Sequence, residues 1–104
     1  MISRHWHGIV KSDQADAYVV YLLTETFPGL QQIQGFQGAE ILKREVPEGI
    51  EFLIVTRWAS IDAVRAFASE DPGAAVVAPK AQAMMVDYDR AVQHYHVVSA
   101  VDAG

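Results

Sequence analysis

The segment that most constrains the fold is residues 51–58, whose centre reads Phe52-Leu53-Ile54-Val55. Four consecutive apolar residues, two of them β-branched, favour a strand whose two alternating faces are both apolar. Such a strand is buried on both sides of its sheet. Helices of the same chain can cover one side, and the other side needs a second cover.

Three further strands are predicted from β-forming residues bounded by turns, at residues 2–10, 38–46 and 90–99. The turn Pro47-Glu48-Gly49 joins the second strand to residues 51–58, because proline presets φ and glycine accepts a positive φ. Residues 38–46 and 51–58 are therefore expected to form a hairpin.

Two main helices are predicted between these strands. The first follows Lys11, with Ser12 or Asp13 as its cap, and ends at Pro28-Gly29. The second follows a Ser60 cap and buries a stripe at helical spacing, formed by Ile61, Val64, Phe67 and Ala68. Asp71-Pro72 predicts a further short helical piece, and residues 80–86 predict one or two more helical turns.

The element order is thus β-α-β-β-α-β, which predicts an α+β, ferredoxin-like fold with an antiparallel four-stranded sheet. Right-handed crossovers place the first strand between the third and the fourth. The 104 residues are predicted to form a single domain, 1–104. The uncovered apolar face predicts a homodimer packed sheet against sheet, while the alternative, a monomer with a bare apolar sheet, would tend to aggregate.

Composition excludes several classes of partner and cofactor. The net charge is −5 and no basic stripe is present, which argues against nucleic acid and anionic membranes. The absence of cysteine excludes zinc–thiolate sites, iron–sulfur clusters and thiol catalysis, and it fits a cytoplasmic protein. No apolar signal core or membrane-spanning run is expected, since the longest apolar run is residues 17–23.

The predicted topology brings all four histidines and both tryptophans to one end of the sheet. His7 is the first candidate for proton transfer, because the ordinary pKa of histidine lies near neutrality. The alternative is a strand histidine that is hydrogen-bonded across the sheet or at the dimer contact. Alternation puts His5 and His7 on one face and Arg4 and Trp6 on the other, and the sequence leaves open which face meets the helices.

A concave space between helices and sheet is the expected small-molecule pocket. Trp58, at the end of the third strand, could stack on an aromatic ligand or could anchor the core. The candidate substrate-binding residues are Trp6, Tyr18, Leu22, Arg57, Phe67, Met84 and His94. No metal is predicted, because the His-x-His pairs have no carboxylate at matching spacing, and no phosphate loop or dinucleotide motif suggests a flavin or nicotinamide cofactor.

Several motifs over residues 4–98 resemble the antibiotic-biosynthesis monooxygenase family: Trp6-His7-Gly8, Tyr18 with Leu22, Gly35-x-x-Gly38, Glu51-Phe52-Leu53 leading to Trp58-Ala59-Ser60, Ala66-Phe67-Ala68, and His94-Tyr95. The resemblance implies a dimeric α+β barrel that oxidises aromatic polyketide-like or quinol substrates with O₂, without metal or flavin. It also matches Trp58 to the tryptophan that ends the family's third strand.

The chain departs from the family at two points. Haem-degrading members carry a haem-ligating histidine where this chain has Phe67-Ala68-Ser69-Glu70-Asp71, and several catalytic members use an early asparagine, whereas this chain contains none. The leading hypothesis is a cofactor-independent monooxygenase with His7 as base, Trp58 as stacking platform and hydrogen-bond donor, and Tyr18 or Arg57 as a further polar contact. The alternatives are a non-catalytic dimeric ligand-binding protein, a haem-binding relative, and a cofactor-free isomerase or cyclase.

Overall fold

A computed structural model describes residues 1–68 and 71–104. One antiparallel sheet contains β1 (Ile2–Val10), β2 (Phe36–Val46), β3 (Gly49–Trp58), β4 (Met85–Tyr88) and β5 (Gln93–His96). The strand order is β2-β3-β1-β4, and β5 also pairs with β1. The predicted ferredoxin-like α+β fold and the place of the first strand between the third and fourth are confirmed.

The predicted fourth strand, residues 90–99, is present as the shorter β5, and a strand that was not predicted, β4, precedes it along the same edge of β1. β5 pairs with Ile2–His5 and β4 pairs with Gly8–Val10. Between them the chain leaves the sheet edge, because Arg90 and Val92 bond instead to the loop of residues 71–78, which we term the covering loop. The Ala75 N–H donates to the Arg90 carbonyl and the Val92 N–H donates to the Gly73 carbonyl, both at 2.9 Å.

The helical predictions for residues 71–86 are mostly wrong. Asp71-Pro72 opens a turn, in which the Asp71 carboxylate accepts the Gly73 N–H at 3.0 Å. Residues 80–86 divide between α4 (Pro79–Gln82) and the start of β4. Pro79 is the first residue of α4, a position where proline is tolerated because no N–H is needed there.

The first helical region runs through the predicted stop at Pro28-Gly29. A 3₁₀ turn (Ser12–Gln14) leads into α1 (Ala15–Tyr21), a π-helical segment (Leu22–Thr26) and α2 (Phe27–Leu30). The Phe27 N–H donates to the Leu22 carbonyl, five residues earlier, so Pro28 begins a new α-helical turn where no donor is needed. Neither Ser12 nor Asp13 caps the helix with its side chain.

The second main helix, α3 (Ile61–Ala68), begins as predicted: the Ser60 hydroxyl accepts the Ala63 N–H at 3.2 Å. Ser69 and Glu70, part of the segment in which haem-degrading relatives carry a histidine, lie outside the described residues. Among the helices that the structure describes, none is both long and apolar enough to cross a bilayer. The cytoplasmic location expected from composition stays a prediction.

The helices cover one face of the sheet, here called the helix face; the opposite side is the outer face. Even-numbered residues of β1 and β3 point to the helix face, where Val10, Phe52 and Trp58 are fully buried. Odd-numbered residues, such as His7 and Leu53, point to the outer face. The double-sided apolar character of the third strand is confirmed, because Phe52 and Ile54 face the helices while Leu53 and Val55 face outward.

Candidate functional site

A narrow cleft lies between the helix face of the sheet, the first helical region and the covering loop. Its cavity volume is about 80 Å³, and about 590 Å³ when the open solvent at its mouth is included. The mouth continues into a more open depression beside α3, which shares six lining residues with the cleft: Tyr21, Thr26, Leu30, Phe67, Val76 and Ala78. The cleft is lined by Arg4, Trp6, Tyr18, Tyr21, Leu22, Thr26, Phe27, Leu30, Ile54, Thr56, Phe67, Val76, Val77, Ala78, Ala81 and Val92.

The cleft brings together some of the residues predicted from sequence and leaves others apart. Four predicted residues line it: Trp6, Tyr18, Leu22 and Phe67. Five do not: His7, Arg57, Trp58, Met84 and His94. The sequence analysis did not predict Arg4 and Thr56 as cleft residues, although the alternation of side chains along the strand had placed Arg4 on the same face as Trp6.

Arg4 is a buried cation at one end of the cleft, with only 4% of its surface exposed. Its guanidinium donates to the carbonyls of Pro72 and Ala74, the latter at 2.9 Å, and lies 5.6 Å from the centre of the Phe67 ring. Burial lowers the pKa of Arg4 to about 10, so the group is still charged at neutral pH. Arg4 therefore holds the covering loop over the cleft and places a positive charge in its wall.

Two hydroxyl groups add hydrogen-bond donors to the wall. The buried Thr56 oxygen accepts the Trp58 indole N–H at 2.9 Å, which leaves the Thr56 hydroxyl hydrogen to be donated elsewhere. Burial raises the pKa of Tyr18, so its phenol is neutral and able to donate. The Trp6 indole N–H donates to the Asp89 carbonyl at 2.8 Å, and it is therefore already used.

His94 lies next to the cleft rather than in its wall. Its Nε2 atom is 3.1 Å from Nη1 of Arg4. Since arginine can only donate, Nε2 accepts and the ring is neutral, with its proton on Nδ1. Burial, and then the Arg4 charge, lower the pKa of His94 below its ordinary value.

This pKa shift gives stability a pH dependence with a definite sign. Between the lowered pKa of folded His94 and the ordinary value near 6.5, the unfolded chain binds more protons, so stability rises with pH and falls on acidification. His94→Gln, whose amide oxygen can still accept from Arg4, should lose this contribution. We expect the melting temperature to fall less between pH 7.5 and 5.5 in His94→Gln than in the wild type, and parallel curves would contradict the assignment.

Trp58 is a core residue in this chain. Its ring is fully buried, stacks on Phe67 with ring centres 6.1 Å apart and meets the edge of Phe36 at 5.2 Å. Trp58 supports the cleft wall through its hydrogen bond to Thr56 and its stacking on Phe67. Met84 packs beside the core on the side of Val10 and Met85.

His7 lies on the outer face, across the sheet from the cleft. Its Nδ1 is 3.5 Å from a carboxylate oxygen of Asp89, and its side chain is 46% exposed. Arg57 is also on the outer face, where it donates to Glu40 at 3.2 Å. The space above Gly8 holds the Trp6 ring, since a Cβ there would lie 2.5 Å from the indole, so Gly8 makes room for Trp6 rather than for a ligand. Within residues 1–68 and 71–104, no group of three or more His, Cys, Asp or Glu side chains could hold a metal ion.

No protein-family model matches the chain, and no curated protein matches it. Solved structures are similar over nearly its full length. A Bacillus cereus protein assigned to the antibiotic-biosynthesis monooxygenases covers 100% of this chain and 97% of its own, with 21% identity and a TM-score of 0.69. The haem degrader MhuD of Mycobacterium tuberculosis, with two haems in its active site, has 17% identity, a TM-score of 0.67 and coverage of 98% and 100%.

The monooxygenase ActVA-Orf6 of Streptomyces coelicolor, in complex with nanaomycin D, has 12% identity, a TM-score of 0.63 and coverage of 99% of this chain and 92% of its own. At identities this low, structural similarity establishes the fold alone, and the chemistry depends on the residues that line each cleft. The fold implied by the sequence motifs is confirmed: this chain has the fold of the antibiotic-biosynthesis monooxygenases.

Proposed function

We propose that the chain is a cofactor-independent monooxygenase that binds an electron-rich aromatic molecule in the helix-side cleft and oxidises it with O₂. The observation that carries the proposal is the cleft wall itself, in which aromatic and aliphatic side chains surround Arg4, Thr56 and Tyr18. Such a lining suits a flat organic ring with oxygen substituents. Structures of the same fold hold nanaomycin D or haem, which adds support for a small-molecule site.

The proposed reaction requires few chemical functions from the protein itself. Triplet O₂ reacts slowly with closed-shell organic molecules, but an aromatic anion can give up one electron to it. The Arg4 charge and the Thr56 and Tyr18 hydroxyls would stabilise that anion inside a wall of apolar side chains, where each such interaction is stronger than in water. The aromatic side chains of the cleft would hold the ring and exclude water.

The second candidate function is ligand binding without catalysis. It is favoured by the absence of any Asp, Glu or His side chain from the described lining of the cleft, which leaves no evident group to accept a proton there. His7, the base predicted from sequence, lies across the sheet. A haem site is less well supported, because the described lining contains no His, Cys or Met to ligate iron.

Oxygen uptake and ligand binding by the purified, metal-free protein test these alternatives, with a panel of anthrones, naphthols and quinols. Uptake above the uncatalysed rate, with a quinone product, supports the monooxygenase. Tight binding without uptake supports the ligand-binding protein. A panel that neither binds nor reacts overturns both functions for neutral aromatic molecules of these three classes.

The site of binding is tested by blocking the mouth of the cleft. Val76 is 52% exposed, so Val76→Trp can cover the mouth without disturbing the core. We expect it to weaken aromatic binding at least tenfold at unchanged melting temperature, whereas Val98→Trp, in the 96% exposed tail, should change neither. His7→Ala should leave binding unchanged; a large loss of binding or uptake in that variant would move the site to the outer face.

We further propose that the chain forms a homodimer through the outer face of its sheet. Leu53 and Val55 lie in the middle of that face. Leu42, which pairs with Leu53, is 46% exposed, and Tyr95, which packs on His5 of β1, is 55% exposed. A second copy related by a two-fold axis would cover this patch with the same patch. The ion pairs Arg57–Glu40 and Arg44–Glu51 lie beside it and provide a polar rim.

A further inference from the structure

We propose that Arg4 makes the cleft selective for aromatic ligands that are already anions in water, namely carboxylates and unusually acidic phenols or enols. The inference rests on the proposed binding of an aromatic molecule in the cleft and adds its charge. Within the described residues, three features of the wall support it: a buried cation with no acidic partner, hydrogen-bond donors with no acceptor, and a lining without carboxylate or imidazole groups.

The charge on Arg4 has no acidic partner within the described residues. No carboxylate of residues 1–68 or 71–104 lies within 4.0 Å of its guanidinium, which bonds instead to two carbonyls and to His94. Carbonyl dipoles and the Phe67 ring compensate a buried cation only in part, since removal from water costs several kcal/mol per ion. A ligand anion in the cleft would supply the missing charge.

The wall also offers donors and few acceptors. Three of the five Arg4 N–H groups are used by Pro72, Ala74 and His94. Every fully enclosed side-chain nitrogen or oxygen of the described residues has a hydrogen-bond partner. Among the described residues, neither Nε of Arg4 nor the Tyr18 hydroxyl has a hydrogen-bond acceptor, and both side chains line the cleft.

These donors stabilise an anion but do not create one. With no carboxylate or imidazole in the described lining, a phenol of ordinary acidity has no base to which it can lose its proton. A ligand that is already ionised in water needs no such base in the cleft. This is why the structure points to acidic aromatic molecules rather than to neutral ones of the same shape.

Matched pairs of ligands test the inference directly. The probes are 2-naphthoate and 9-anthroate, each with its primary amide, and dissociation constants are measured at pH 7 by titration calorimetry. We expect the wild type to bind each carboxylate about tenfold or more tightly than its amide, as charge-assisted hydrogen bonds are about twice as strong as neutral ones. Arg4→Met should lose this preference, because it should weaken the binding of the carboxylates more than that of the amides, and Arg4→Lys should retain part of it.

The amides report whether the cleft is intact, which separates two kinds of failure. If the wild type binds amides as tightly as carboxylates, or if Arg4→Met keeps the preference, the inference is wrong and the proposed function stands. If the wild type binds none of the four probes, this inference and the proposed function are both overturned for ligands with naphthalene- or anthracene-sized rings. Should Arg4→Met fail to fold, the wild-type preference and its reduction in Arg4→Lys still decide the question.

Discussion

Trp58→Ala is expected to lower the free energy of unfolding by about 3–5 kcal/mol, the range typical of large-to-small changes at a buried tryptophan. The ring is fully enclosed and packs on Phe36 and Phe67, so its removal leaves a cavity that the sheet cannot close. For a domain of this size the melting temperature should fall by more than about 12 °C. Chemical denaturation checks the change; a loss below about 1 kcal/mol would contradict the core assignment.

Two milder variants separate the packing of Trp58 from its hydrogen bond. Trp58→Phe keeps an aromatic ring and removes the indole N–H, while Thr56→Val removes the acceptor and keeps nearly the same side-chain volume. A double-mutant cycle should give a coupling of about 1 kcal/mol if the 2.9 Å bond contributes as buried neutral bonds usually do. A coupling near zero would show that the bond does not position Thr56.

The same variants test the stacking role that the sequence predicted for Trp58. If Trp58 only orients the Thr56 hydroxyl, then Trp58→Phe and Thr56→Val should weaken ligand binding to a similar extent, and combining them should add little. If Trp58 instead stacks directly on the ligand, a Trp58 substitution should weaken ligand binding by the same factor with or without Thr56→Val. The geometry favours the indirect role, because Thr56 lines the cleft and Trp58 does not.

The sequence predicted the sheet well, because the information needed for it is local. Apolar faces of period two, the Pro47-Glu48-Gly49 turn and the Ser60 cap are read from neighbouring residues, and chirality rules then supply the strand order. The division of one edge of β1 between β4 and β5 could not be predicted in this way. It depends on bonds between residues 73–75 and 90–92, and no local pattern shows that these segments meet.

The site was predicted only in part for a related reason. Alternation separates Arg4 and Trp6 from His5 and His7, but each set mixes polar and aromatic residues, so hydrophobicity does not identify the helix face. Arg4 resembles a solvated strand residue until the carbonyls of Pro72 and Ala74, about 70 positions away in the chain, are placed against it. Its burial is a property of the folded covering loop.

Leu53→Asp is expected to convert the proposed dimer into a monomer. Leu53 lies on the outer face, paired across the sheet with Leu42 and His7, so the new carboxylate would be near the centre of the proposed contact. The two-fold symmetry places two such charges in one interface, and burying an unpaired carboxylate costs several kcal/mol. Sedimentation equilibrium at micromolar concentrations should give twice the chain mass for the wild type and the single mass for Leu53→Asp. Val20→Asp, at a 58% exposed position on α1, is the matched control and should stay dimeric, whereas a monomeric wild type would refute the interface.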